Sequence, residues 1–243
     1  HLISSTIPNC ISYDPTYAYE VAVIIQDGLR RMFGEQQDVF YYLSLLNENY
    51  PHPAMPKGVE AGILQGIYRL SEGKGKKDAP KVQLLGSGAI LREVIAAQEL
   101  LDKDFGVAAD VWSVTSFNEL RREGLDVQRW NMLHPEEKPR ESYVGRCLNS
   151  ATGPVVAATD YMKLFADQIR PFLYKHYVVL GTDGFGRSDF RRQLRKFFEV
   201  DRYYVTVAAL KALADEGSIP AATVAKAIKK YGINPEKPNP VTV

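Results

Sequence analysis

The sequence predicts an α/β protein built on a mostly parallel sheet with helices on both faces. Two observations carry that expectation. Short apolar runs rich in β-branched residues, at 82–85, 111–115, 155–158 and 178–180, alternate with longer stretches whose apolar residues recur at helical spacing. Turns rich in glycine and polar residues follow two of those runs, Gly86-Ser87-Gly88 and Gly181-Thr182-Asp183-Gly184-Phe185-Gly186, and each leads into a helical pattern.

The elements can be justified in chain order. Asp14-Pro15 reads as a helix start, a capping aspartate before a proline whose fixed φ suits the first turn. Tyr17, Val21, Ile24, Ile25, Leu29 and Met32 then mark one apolar face, and Gly34 terminates it. Residues 39–46 read as a buried strand, and 47–56, with three prolines, as an extended connection. A short helix and then a strand are expected over 57–70. Residues 71–80, polar and rich in lysine and glycine, read as a domain boundary or exposed loop. After the strand at 82–85, a helix is expected over 89–103. A short helix over 117–123 follows the strand at 111–115, then an irregular stretch over 128–139 and a helix within 140–149. Thr159-Asp160 reads as the cap of a helix running to Ile169, and Ser188-Asp189 as the cap of the next. Asp201 caps a helix ended by Gly217, and Pro220 starts a last helix before an extended tail.

Composition narrows the function classes. A formal charge of +1 argues against a nucleic-acid or polyanion partner. No apolar run reaches the length of a bilayer crossing. Cys10 and Cys147 stand far apart with no metal-ligand spacing, which fits a reduced, cytoplasmic compartment. The chain opens at His1 without methionine or a signal-like segment, and reads as cut from something longer.

Motifs divide between chemical and plain readings. Gly86-Ser87-Gly88 after a strand resembles a phosphate loop. It lacks the third glycine of a dinucleotide fingerprint and the Gly-Lys-Ser/Thr of a P-loop, so a plain turn is favoured. A helix start flanked by Arg187, Arg191 and Arg192 offers an anion site; the alternative is that the glycines turn the chain and the arginines face solvent. His1, His52, His134 and His176 show no zinc spacing, and a surface or hydrogen-bonded structural role is favoured for each. The segments 129–135 and 159–163, dense in polar and aromatic residues, line either an interface or the core.

The strings TIPNCISYDPTYAYEVAVIIQDG, LNENYPHPAMP, VQLLGSGAILREV, DVWSVTSFNEL, RWNMLHP, ATDYMKLFADQIR and YVVLGTDGFGRSDFR carry a closer resemblance. The chain resembles, over nearly its whole length, the C-terminal part of homodimeric bacterial pyruvate dehydrogenases, transketolase-like enzymes that form the first component of the pyruvate dehydrogenase complex. The resemblance implies that 1–56 is the end of a pyrimidine-binding domain, 57–81 a linker and 82–243 a transketolase-like C-terminal domain. It implies a parent enzyme that uses thiamine diphosphate and magnesium to decarboxylate pyruvate and reductively acetylate the lipoyl group of dihydrolipoyl acetyltransferase. The family's diphosphate and magnesium signature is missing here, and its activating glutamate lies upstream, so no cofactor or metal ligand is expected in this chain. His1 is the one candidate remnant of a histidine-rich catalytic loop. The expected role is scaffold, dimer contact and channel wall, with Asp183, Arg187, Ser188, Asp189, Tyr161 and Lys163 as interface or channel-loop candidates. Two other readings stand beside it: a non-catalytic interaction module of the same fold, and a related transketolase-type enzyme for another keto acid.

Overall fold

A computed structural model describes residues 1–76 and 78–243. Its centre is a five-stranded sheet in the order β3-β5-β4-β6-β7, formed by β3 (Ile67–Ser71), β4 (Lys81–Gly86), β5 (Ala108–Val114), β6 (Val155–Ala158) and β7 (Tyr177–Leu180). The four last strands run parallel, and β3 closes one edge antiparallel to β5. Alternation along each strand sorts side chains onto two faces. Leu84, Val111, Val156 and Ala158 meet α3 (Leu91–Phe105), α8 (Arg202–Asp215) and α9 (Ala221–Lys230). Leu85, Trp112, Val155 and Ala157 meet α4 (Phe117–Leu133), α5 (Tyr143–Leu148) and α6 (Lys163–Asp167) on the other. The central strands are buried on both faces, which is why they read as mostly apolar runs. This is the expected fold class.

A second, smaller unit precedes the sheet. β1 (Cys10–Tyr13) pairs in parallel with β2 (Phe40–Leu43), and α1 (Ala18–Leu29) with a π-turn at Arg30–Gly34 connects them. β1 does not stand out in the sequence because Cys10-Ile11-Ser12-Tyr13 is not a run of apolar residues. Ile11, Tyr13 and Ile24 pack with Ile63 of α2 (Glu60–Gln65) and Tyr68 of β3, joining the two units. The stretch 57–81, expected as a linker, therefore holds a helix and an edge strand. Lys77, within the loop expected at 71–80, lies outside the described residues.

Several helix boundaries differ from expectation for identifiable reasons. α1 begins at Ala18 rather than at Asp14-Pro15. Glu20 reaches back to accept from the amides of Thr16 (2.5 Å) and Tyr17 (2.9 Å), and His52 Nδ1 accepts from the amide of Ala18. The first turn is thus satisfied without Asp14. α4 continues ten residues past Glu123, into the first half of the stretch expected to be irregular, whose remainder from His134 on is not helical. Gly124 costs that helix about 1 kcal/mol against alanine, but a Cβ there would come within 2.6 Å of the Phe172 ring, so the glycine is what lets the ring pack. α6 starts at Lys163, not at Thr159-Asp160, because the Asp160 carboxylate is engaged by Arg195 and Thr159 Oγ1 accepts from Tyr161 N. α7 (Arg191–Phe197) is likewise uncapped by Ser188-Asp189: Phe190 occupies the cap position, and Asp189 Oδ1 accepts only from its neighbour Phe190 N. Asp201 does cap α8, accepting from the amides of Tyr203 and Tyr204.

Candidate functional site

In open parallel sheets, functional groups gather beyond the carboxyl ends of the strands. Here the ends of both units point to one place. Asp14 follows β1, Ser44 follows β2, Ser87 follows β4, and Thr159-Asp160-Tyr161 follow β6. The turn after β7 joins the same edge, where Thr182 N donates to Tyr161 O at 2.8 Å and Thr182 Oγ1 to Asp160 O at 2.9 Å.

Asp14 is the centre of this cluster and is 2% exposed. Ser44 Oγ donates to Asp14 Oδ1 at 2.6 Å, and the Tyr161 hydroxyl reaches the same oxygen at 3.5 Å. Ser44 Oγ also contacts His1 Nε2 at 2.8 Å. The His1 ring lies in an aromatic slot: it stacks on Phe165 with centroids 4.8 Å apart, while Tyr42 and Tyr161 flank it at 5.1 Å. Burial pushes the Asp14 carboxyl up to about 6, the hydroxyls of Ser44, Ser87 and Tyr161 pull it back, and the negative charge of Asp160 pushes it up further. Ser87 Oγ lies beside the carboxyl without closing a hydrogen bond of normal geometry among the described residues.

The Gly86-Ser87-Gly88 turn has a use other than phosphate binding. Gly88 adopts φ +56°, its amide donates to Asp14 O at 3.0 Å, and a Cβ there would lie 2.8 Å from Asp14 Oδ2. Thr16 Oγ1 donates to Gly88 O at 2.8 Å. The turn is a clamp between the two units that leaves room for a carboxyl group.

A second cluster flanks the first. Arg195, 6% exposed, pairs with Asp160 at 3.0 Å and Glu48 at 3.3 Å. Glu48 also binds Arg92 (2.6 Å) and Arg191 (3.5 Å), and Glu93 is held below its usual range by Arg202, which overcomes its burial. These pairs tie the extended segment after β2 to α3 and α7. No spacing in the sequence points to Glu48 or Arg195, because their partners lie far away in the chain.

The expected loop residues separate into two groups. Tyr161, Lys163 and Asp183 come together: Asp183 Oδ1 accepts from Lys163 N at 2.8 Å, and Gly181 fits only because a Cβ would meet Tyr161 O and Lys163 N at 2.7 Å. Arg187, Ser188 and Asp189 stand further out. Arg187 lies over the Phe197 ring at 4.7 Å, and Phe185 and Phe190 are each over 80% exposed or at that value. α7 is too short for its N-terminus to hold an anion, and Arg191 is committed to Glu48 and Asn47 O, so the arginines form no anion site. His52 and His134 serve structure: His52 accepts at the start of α1, and His134 stacks on Trp130 at 4.3 Å. A groove of about 910 Å³ lies between α7, α8 and the tail and includes none of Asp14, Ser44 or His1.

Known proteins supply the decisive observation. The transketolase-like TK C-terminal domain model matches residues 66–201, more than half of the chain. The chain belongs to the transketolase-like family. The pyruvate dehydrogenase E1 component middle domain model matches residues 1–53. The chain is 63% identical over 243 residues to the pyruvate dehydrogenase E1 component of Cupriavidus necator and 64% identical over 242 residues to that of Pseudomonas aeruginosa. It is 60% identical over 242 residues to that of Escherichia coli K12. These alignments cover 99–100% of the chain but 27% of each relative, so the chain spans about a quarter of the curated relatives it matches. Transketolase from Leishmania mexicana shares the fold at TM-score 0.60 and 17% identity, over 90% of this chain and 28% of that one. Transketolase from Campylobacter jejuni does so at 0.59 and 16%, over 86% and 27%.

Among the described residues no group of three or more His, Cys, Asp or Glu side chains is placed to hold a metal ion. The strand-end cluster offers the Asp14 carboxyl, the Asp160 carboxyl already paired with Arg195, one imidazole and several hydroxyls. That set can hold and orient hydrogen bonds; it does not fit magnesium and a diphosphate, which need several oxygen ligands and cations.

Proposed function

We propose that this chain is the C-terminal part of a pyruvate dehydrogenase first component, and that its strand-end cluster forms part of the wall of that enzyme's active site. The single observation that carries the reading is the 60–64% identity to pyruvate dehydrogenase E1 components from three bacteria along essentially the whole chain. In the parent, bound thiamine diphosphate would supply the electron sink for decarboxylation of pyruvate, and the lipoyl group of dihydrolipoyl acetyltransferase would take up the acetyl unit. The cofactor and its magnesium would be held by parts of the homodimer outside this chain, in the cytoplasm. This chain's residues would shape and dry the space around the reacting groups. His1, held in its aromatic slot, would present a ring nitrogen there. The paired loops around Tyr161, Lys163 and Asp183 would form the rim, and Arg187, Ser188 and Asp189, with exposed Phe185 and Phe190, the outer surface toward a partner.

Three measurements test the reading. Calorimetry with thiamine diphosphate and magnesium should detect binding to the full-length enzyme and none to the 243-residue chain; binding to the chain alone would place the cofactor site here. His1→Ala in the full-length enzyme should lower kcat while cofactor affinity holds. Arg187→Ala should weaken the dimer or turnover, and unchanged values of both would remove the outer loop from the interface.

A further inference from the structure

We propose that Asp14 and Ser44 are positioning residues that act through His1, as a hydroxyl-linked relay from a buried carboxylate to the imidazole. The inference rests on the reading above, which places His1 at the active site, and goes beyond it by naming what sets the ring.

The argument is one of donors and acceptors. Ser44 carries a single hydroxyl hydrogen, and at 2.6 Å from Asp14 Oδ1 that hydrogen is directed to the carboxylate. Ser44 Oγ therefore meets His1 Nε2, at 2.8 Å, with a lone pair, and Nε2 must carry the hydrogen. The relay selects one tautomer of the neutral ring and leaves Nδ1 as its open nitrogen, the same logic by which a carboxylate orients a histidine in hydrolytic triads. Three aromatic rings restrict the ring's tilt, so the hydrogen bond has only rotation about the ring axis left to decide.

The surroundings are built to keep the carboxyl in place. Asp14 follows β1 and Ser44 follows β2, and the parallel ladder continues there, with Ser44 N donating to Tyr13 O at 3.1 Å. Asp14 N donates to Thr115 O at 2.7 Å, and Gly88 leaves the space that Oδ2 fills. The ionisable groups facing Asp14 are Tyr161 and Asp160 from the turn after β6, and His1 through Ser44. Burial raises the Asp14 carboxyl only to about 6, so it is mostly ionised near pH 7.5 and able to accept.

The test uses the full-length enzyme and five variants. Ser44→Ala should lower kcat on the order of tenfold with KM nearly unchanged, and Ser44→Thr, which keeps the hydroxyl, should restore it. Asp14→Asn should resemble Ser44→Ala; if it fails to fold, Ser44→Ala carries the test. The double variant His1→Ala/Ser44→Ala should be no slower than His1→Ala alone, since a residue that acts through the ring has nothing left to act on. A readout independent of turnover is carbethoxylation of His1 by diethyl pyrocarbonate in cofactor-free enzyme, followed by mass spectrometry. Ser44→Ala should change its rate several-fold, and Ser44→Thr should not. Multiplying losses in the double variant, or unchanged kcat and carbethoxylation in Ser44→Ala, would overturn the relay while leaving His1 at the site. Wild-type kcat in His1→Ala would instead overturn the site reading, and the relay with it.

Discussion

The two faces that hold this chain together are built from opposite materials. Where α3 and α8 cover the sheet, the contact is mainly apolar: Leu84, Val111 and Val156 meet Leu91, Val94, Ala209 and Leu210, all 1% exposed or less. Where the two-stranded unit meets the same sheet, buried polar groups dominate beside the small apolar cluster. Glu20, fully buried, accepts from Thr16 N, Tyr17 N, the Tyr68 hydroxyl and Ser113 Oγ. Asn118 donates to His1 O and Ser12 Oγ, and Ser116 Oγ to Ser12 O. Apolar contact is strong and tolerant of small shifts, whereas hydrogen bonds among buried groups stabilise little in net terms and fail sharply when misaligned. The first face supplies stability. The second sets the angle at which Asp14 and Ser44 meet the strand ends of the larger sheet.

That contrast can be broken by experiment, beginning with its largest effect. Leu84→Ala should cost about 2–5 kcal/mol in urea unfolding, since it opens a cavity among atoms that cannot collapse, and should leave the geometry of the strand-end cluster intact. A loss below 1 kcal/mol would mean the apolar face is not the main source of stability.

Asp14 sharpens the comparison through pH. Its folded value, about 6, lies above the usual 3.8, so the group favours the fold most fully below 3.8, and that contribution is lost as pH rises through 6. Asp14→Asn removes this dependence. Its stability relative to wild type should therefore improve from well below pH 3.8 up to pH 8, by about 3 kcal/mol at 1.36 kcal/mol per unit over the 2.2-unit difference. A relative stability that is flat with pH would show that the carboxyl is not desolvated.

Tyr68→Phe should cost about 1–2 kcal/mol, because it leaves Glu20 Oε1 with Ser113 as its remaining donor and frees the Tyr19 hydroxyl at 2.6 Å from its partner. Its effect on turnover in the full-length enzyme should exceed that of Leu84→Ala, although its effect on stability is smaller; the reverse order would collapse the distinction between the two faces. At the low end, Lys211→Ala removes an exposed i,i+4 pair with Asp215 on α8 and should change stability by under about 0.5 kcal/mol.

Much of the larger sheet is legible in the sequence, because its strands are covered on both sides and so appear as mostly apolar runs such as Val155–Ala158. The helix ends are less so. Asp14 and Asp160 look like caps, since an aspartate before a helical pattern satisfies that local rule, yet each carboxyl is taken by a partner distant in the chain. Gly124 looks like a helix end until Phe172 is seen beside it. The candidate site shows the same limit. Tyr161, Lys163 and Asp183 stand out as polar residues at strand ends and do come together, while Ser44 is one residue of an apolar run and carries no local signal.

The sequence by itself determined the alternation of strands and helices in the larger sheet, its two-faced burial, and the family to which the chain belongs, because apolar periodicity and extended strings of residues are local properties. Only the tertiary structure decided that Asp14, Ser44 and His1 meet. They are brought together by the parallel pairing of β1 with β2 and by the docking of that pair on the sheet ends. A hydrogen bond between residues 30 or 43 positions apart depends on register and angle, which no stretch of the chain specifies alone.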